Sequence, residues 1–123
     1  MRTGPVQFKV EPRFRLQLGK SFAFGPGKAD LLEHIARTGS IREAASAMGM
    51  SYMRAWSLVK SLDQGLKEPL VRKRRGGQAR GGAELTEAGK QLLQVYRELE
   101  RQAAVSASHA KERLIALLPK SDE

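Results

Sequence analysis

Between Val6 and Leu18 the even positions carry Val6, Phe8, Val10, Pro12, Phe14, Leu16 and Leu18, and every residue between them is polar or charged. A period of two predicts a half-buried β-strand. Pro12 has no N–H to donate, which places that strand at a sheet edge or breaks it. The Gly25-Pro26-Gly27 punctuation ends the segment. Past it the period lengthens. Leu31, Leu32, Ile35 and Ala36 recur at helical spacing and Gly39 supplies a stop, predicting a helix from about Lys28 to Thr38. Ser40, with Glu43 three residues on, has the spacing of a capping box and starts a short second helix that ends near Gly49. Ser51 can cap a third, which Gly65 and Pro69 terminate.

Residues 70–75, LVRKRR, begin with strand character and run into GGQARGGAEL, where glycine pairs frame a basic stretch before a short apolar return. This predicts a β-hairpin with a basic tip. Thr86 then caps a long final helix, with Glu87 in its first turn complementing the dipole. On that helix Leu92, Tyr96, Leu99, Ala103 and Ala110 form an apolar stripe, extended by Leu114, Leu117 and Leu118. The spacing suits packing against a second helix, so Leu92, Tyr96, Leu99, Ala103, Ala110 and Leu114 are expected to carry a homodimer contact. No internal repeat or low-complexity tract interrupts the pattern.

Charge adds the first hint of a partner. The 123 residues carry a net charge of +9 and a pI near 10.4, a balance that points to a polyanion. Its distribution is uneven: residues 1–82 hold 16 Lys and Arg against 6 Asp and Glu, whereas residues 83–123 hold 6 against 7. The basic face therefore belongs to the first two thirds. There is no cysteine, which excludes a disulfide framework and a thiolate zinc site. The apolar runs are too short to span a bilayer and no secretory signal stands out, so the expectation is a soluble, cytoplasmic protein without a membrane partner.

In SIREAASAMGMSYMRAWSLVK the second helix carries Ala44, Ala45 and Met48, Gly49 sits at the turn, and Ala55 and Leu58 follow on the third helix. Two helices crossing steeply need small residues where they touch and a glycine to turn, and both are present. An alanine-rich helical hairpin can imitate the pattern. With Ala55, Leu58, Val59 and Leu62 facing inward, Ser51, Tyr52, Met53, Arg54, Ser57 and Lys60 lie along the outward arc, the arc that a helix-turn-helix places in a DNA major groove. Arg54 could pair with guanine O6 and N7, Ser51 and Tyr52 could hold phosphates, Met53 could meet a thymine methyl, and Lys60 could take backbone charge. The plain alternative for Arg54 and Lys60 is an ordinary solvated face. Trp56 falls between the two arcs, and both packing against a neighbouring element and a DNA contact remain open for it.

The hairpin bears Arg72, Lys73, Arg74, Arg75 and Arg80, with Gln78 at its tip, around Gly76, Gly77, Gly81 and Gly82. Glycines let backbone approach a nucleic acid while arginines reach phosphates or a minor groove, so Arg72, Arg74, Arg75, Gln78 and Arg80 join the expected DNA contacts. A disordered RNA-binding segment built on the two RGG triplets, or a plain surface loop, are the competing readings; a Walker A loop is excluded, because no Gly-Lys-Ser/Thr opens a helix here. Catalysis finds no support: His34 and His109 lie on different helices with no cysteine or acid cluster beside them, and no metal ligands or cofactor site are expected.

GSIREAASAMGMSYMRAW followed by GGQARGGAELTEAG closely resembles the amino-terminal DNA-binding domain of the molybdate-responsive ModE-type regulators, a winged helix related to the LysR family. The resemblance covers roughly residues 10 to 100, and SYMRAW and the glycine-rich hairpin running into LTEAG are its most specific parts. It implies a mainly α fold with a small β component: a winged helix-turn-helix over residues 1–85, with an amino-terminal strand, and a long dimerisation helix over 86–123. It also implies a homodimeric transcription regulator of duplex DNA, not an enzyme, contacting DNA through the third helix and the hairpin. Such regulators continue into β-rich oxyanion-binding domains. These residues resemble only the DNA-binding part, so no molybdate sensing is expected of them, and any signal would come from a separate sensor partner. A protein-interaction module or a sequence-neutral architectural DNA binder could use the same scaffold.

Overall fold

The computed structural model describes residues 7–20, 22–74 and 82–119. Two short antiparallel strand pairs and five helices follow in the order β1 (Leu16–Leu18), β2 (Phe22–Phe24), α1 (Pro26–Thr38), α2 (Ile41–Ala47), α3 (Tyr52–Ser61), a 3-10 turn at Leu62–Gln64, β3 (Val71–Lys73), β4 (Ala83–Leu85), α4 (Glu87–Ser106) and α5 (Ser108–Ile115). The single amino-terminal strand is corrected. Residues 7–15 form no ladder, and only Leu16–Leu18 pairs, with a second strand, Phe22–Phe24, that the sequence pattern did not separate. The period of two still holds for burial along most of the segment. Phe8, Pro12, Phe14 and Leu16 are half-buried and Lys9, Glu11, Arg13 and Arg15 exposed, so side chains dock this extended stretch where Pro12 denies it a ladder.

Helix α1 starts at Pro26, two residues before the predicted Lys28, because proline's fixed φ suits the first helical position, where its missing N–H would have no partner anyway. Leu31, Leu32 and Ile35 are its buried face, each contributing about 1.5–3 kcal/mol by leaving water. Ser40 caps α2 by accepting from the Glu43 N–H at 3.1 Å. The other half of the expected capping box is replaced: the Ser40 N–H donates to the Thr38 hydroxyl at 3.3 Å, and Glu43 is exposed. Ala44, Ala45 and Ala55 are buried where α2 crosses α3, and Gly49 takes the left-handed turn between them at φ 69°, a conformation costly for a residue with a Cβ.

Helix α4 starts at the capping Thr86, whose hydroxyl accepts from the Gly89 N–H at 3.0 Å and donates to the Pro69 carbonyl at 2.7 Å. The long final helix is corrected to two: α4 gives way at Ala107 and α5 begins at Ser108. Val105, Ser106 and Ser108 are weak helix formers, and no residue of α5 is buried to hold the axis straight. Tyr96 closes the core instead of joining an exposed stripe. It is 1% exposed, its ring meets Phe24 edge-on at 5.2 Å, and its hydroxyl donates to the Phe14 carbonyl at 2.8 Å. The expectation that Tyr96 serves a dimer contact is therefore overturned, because the chain's own β2 and amino-terminal segment cover it. Leu92 is half-buried against the same core, and Leu99 and Ala103 are half-buried, while Ala110 and Leu114 are exposed. Of the apolar side chains left uncovered on α4 and beyond it, Leu114, Leu117 at 80% exposure and Leu118 belong to the expected stripe, while Val95, Val105 at 75% and Ile115 lie outside it.

One cation ties α4 to α1. The Arg97 guanidinium reaches Asp30 at 2.8 Å, Glu33 at 2.7 Å and Glu100 at 3.0 Å. Burial works against its charge, but the hydrogen bonds to Asp30, Glu33 and Glu100 outweigh that and hold its pKa above the ordinary arginine value.

Candidate nucleic-acid interface

Ser51 sets the start of α3 by accepting from the Arg54 N–H at 3.1 Å. With Ala55, Val59 and Leu62 buried and Leu58 half-buried, the helix turns Ser51, Tyr52, Met53, Arg54, Ser57 and Lys60 outward. All six are exposed: Tyr52, Met53, Arg54, Ser57 and Lys60 occupy the broad arc opposite the buried row, and Ser51 is exposed as the cap at the helix start. Lys60 also sits 3.7 Å from Asp63 and 5.6 Å above the Trp56 ring centre.

The strand pair β3–β4 is fixed to this helix pair through the α1–α2 turn. Gly39, in the left-handed region at φ 71°, gives its carbonyl to the Ala83 N–H at 2.9 Å, and Ser40 forms an isolated bridge with Gly82. The Arg74 guanidinium lies across Gly39: a Cβ there would fall 1.9 Å from a terminal nitrogen of Arg74. Arg72 bonds Glu84 at 2.8 Å directly across the ladder. A contact from Arg72 to a phosphate would have to displace this pair, worth at most about 1 kcal/mol at such exposure. Lys73 is exposed beside them. Arg75, Gln78 and Arg80 lie outside the described residues.

Between α3 and the strand pair runs a groove of about 360 Å³, lined by Tyr52, Trp56, Val59 and Lys60 on one side, Val71, Arg72, Lys73, Gly82 and Ala83 on the other, with Ile41 and Asp63 completing it. The structure thus brings Tyr52 and Lys60 of the outward arc together with Arg72 and Lys73 of the hairpin base, whereas Ser51, Met53, Arg54 and Ser57 do not line this groove. Arg42 was missed by sequence reasoning. Its guanidinium stacks 4.6 Å from the Tyr52 ring centre, extending that surface onto α2, and a residue ten positions away across a turn leaves no periodic signal. Among the described residues no group of three His, Asp or Glu could hold a metal ion, and no helix is long and apolar enough to cross a membrane.

The sequence signature described as bacterial regulatory helix-turn-helix protein, lysR family, matches residues 28–90, from the third residue of α1 to the first turn of α4. The chain belongs to the lysR family of bacterial regulatory helix-turn-helix proteins. The DNA-binding transcriptional dual regulator ModE of Escherichia coli K12 is 38% identical to this chain over 88 residues, which make up 72% of this chain and 34% of that protein. The chain thus spans about a third of the length of the curated relatives it matches. Among solved structures, full-length LysG from Corynebacterium glutamicum, an LTTR, superposes with a TM-score of 0.55 at 28% identity, over 72% of this chain and 29% of LysG. The CbnR DBD–DNA complex superposes at 0.56 and 20% identity, over 72% of this chain and 95% of that one, a likeness of fold. The lysR-family domain accounts for the helix-turn-helix and strand-pair arrangement, which is a winged helix-turn-helix.

Proposed function

We propose that this chain supplies the DNA-binding and dimerising unit of a transcription regulator that recognises specific sequences in duplex DNA. The observation that carries the reading is the shared surface of α3 and the hairpin base. Tyr52, Met53, Arg54, Ser57 and Lys60 project from one helix face, and Arg72, Lys73 and Arg74 approach from the strand pair that borders the same groove. An exposed helix with a cationic β-ribbon beside it fits a major groove and its flanking phosphates. Arg54 reads base edges, while Lys60 and the hairpin cations hold the backbone. The similarity to ModE and the superposition on a DNA complex support the same reading.

Two copies act together in this proposal, joined through the apolar side chains left exposed on α4, α5 and the residues that follow, chiefly Val105, Leu114, Ile115, Leu117 and Leu118, with Ala110 on the same stretch. A symmetric pair presents two α3 helices to half-sites about 34 Å apart or a multiple of that, so bound sites are inverted repeats. Selection of genomic fragments by the purified chain at near-physiological salt tests specificity. The expected result is an inverted-repeat consensus, with affinity that falls steeply as salt rises; recovery of random fragments would defeat the reading. Arg54→Ala should relax the preference at one or two base pairs by about 1–3 kcal/mol, whereas Arg74→Ala should weaken all sequences alike. Sedimentation at tens of micromolar should give a dimer, and a monomer would remove the paired half-sites.

A further inference from the structure

Trp56 is neither enclosed in the core nor at the centre of the outward arc. It lies on α3 between the buried row and the outward arc and is 42% exposed. One side of the indole faces the groove shared with the hairpin base, and Lys60 stands over the ring at 5.6 Å. Tyr52, Val59, Ile41 and Val71 give the groove an apolar lining, and Lys60 on one side faces Arg72 and Lys73 on the other, with Asp63 beside Lys60 and Glu84 on Arg72 as the partners a phosphate would displace. An apolar slot with a positive charge on each bank matches a sugar–phosphate chain: deoxyribose presents C–H faces to the indole, and the phosphates on either side meet the ammonium and guanidinium groups. If α3 occupies a major groove and the hairpin sits beside it, what passes between them is one backbone strand.

We propose that the groove between α3 and the β3–β4 base grips the sugar–phosphate backbone of one DNA strand, with Trp56 packed against a deoxyribose and Lys60 drawn from Asp63 onto the adjoining phosphate. The inference rests on the DNA-binding reading above and names the strand contact within it. Trp56 then contributes affinity and register without sequence preference, unlike Arg54. Asp63, 3.7 Å from Lys60, competes with the phosphate for that ammonium and limits the grip.

Trp56 is the only tryptophan, so its emission reports the groove directly in the unmodified chain. The probes are a duplex selected from a random pool by the wild-type chain and an unrelated duplex of equal length. Either duplex at saturation should shift the emission to the blue and shield the indole from acrylamide. Trp56→Ala should weaken binding to both by about the same factor, on the order of tenfold; Trp56→Phe, which keeps an aromatic face, should lose less. Asp63→Asn should tighten both about threefold. Melting temperatures of the variants separate these effects from misfolding, and the emission measurement needs no variant. An indole equally open to acrylamide with and without DNA would overturn the proposal. So would a Trp56→Ala loss confined to the selected duplex, which would make Trp56 a base reader. A wild-type chain that enriches no duplex from the pool and does not bind the unrelated one would overturn the DNA-binding reading and this inference with it.

Discussion

Gly27 and Gly89 both lie in the first turn of a helix, and the structure predicts opposite results for the same substitution. Replacing either with alanine restricts the unfolded chain and favours the helix, a gain of about 0.5 kcal/mol where nothing opposes it. At Gly27 no atom beyond its chain neighbours and the adjoining backbone of its own helix lies within 4 Å of the new Cβ. At Gly89 the new Cβ would sit 2.2 Å from the Leu70 carbonyl oxygen and 3.3 Å from the Leu85 Cβ. The obstacle is backbone, so relief requires α4 to move off the β3–β4 base by roughly 1 Å, an overpacking cost of about 1–3 kcal/mol. The cost exceeds the gain, and Gly89→Ala should lose about 1–2 kcal/mol net. At about 4 °C per kcal/mol for a domain of this size, its melting temperature should fall by roughly 4–8 °C, while that of Gly27→Ala rises by about 2 °C. Urea unfolding with a shifted midpoint and an unchanged m-value would show that stability has changed without a change in the compactness of either state. A Gly89→Ala protein as stable as the wild type, or a Gly27→Ala protein destabilised to the same degree, would refute the close-approach argument.

Tyr96→Phe removes the bond to the Phe14 carbonyl and should cost about 1 kcal/mol at neutral pH. Burial, then Glu100, raises the Tyr96 pKa above its ordinary value of 10.0; its stabilisation is therefore complete below that pH and lost as pH rises through the folded value. Wild-type stability should fall on this account above about pH 10, and unfolding curves of the phenylalanine variant should lack that component. Thr86→Ala should destabilise more than Ser51→Ala: both lose a helix cap worth about 1 kcal/mol, but Thr86 also loses its bond to Pro69, another 1 kcal/mol or so by thermal melting. Arg97→Ala leaves Asp30, Glu33 and Glu100 facing one another. Discounted for partial exposure, the loss should be about 1–2 kcal/mol at low salt and smaller at high salt, and a loss independent of salt would show that the network is not electrostatic.

The local signals in the sequence were sufficient for the helices that surround the interface. Ser40, Ser51 and Thr86 cap the helices they were read to cap, because a cap bond spans three residues and depends on little else. The inward row Ala55, Val59 and Leu62 likewise follows from a 3.6-residue period, and with it the outward arc on α3. What periodicity could not supply is anything that depends on a distant partner. The same apolar spacing on α4 serves a dimer or the chain's own core, and only the position of Phe24 and Phe14 decides that Tyr96 belongs to the core. The period of two predicts a strand over Val6–Leu18, and only pairing shows that Leu16–Leu18 ladders with Phe22–Phe24, a strand the pattern did not mark. The groove that holds Trp56 between α3 and the strand pair exists because Gly39 and Ser40 bond Ala83 and Gly82, more than 40 residues away. Sequence fixes which face a side chain takes on its own element; the tertiary contacts decide what that face meets, since they join residues whose separation along the chain carries no period.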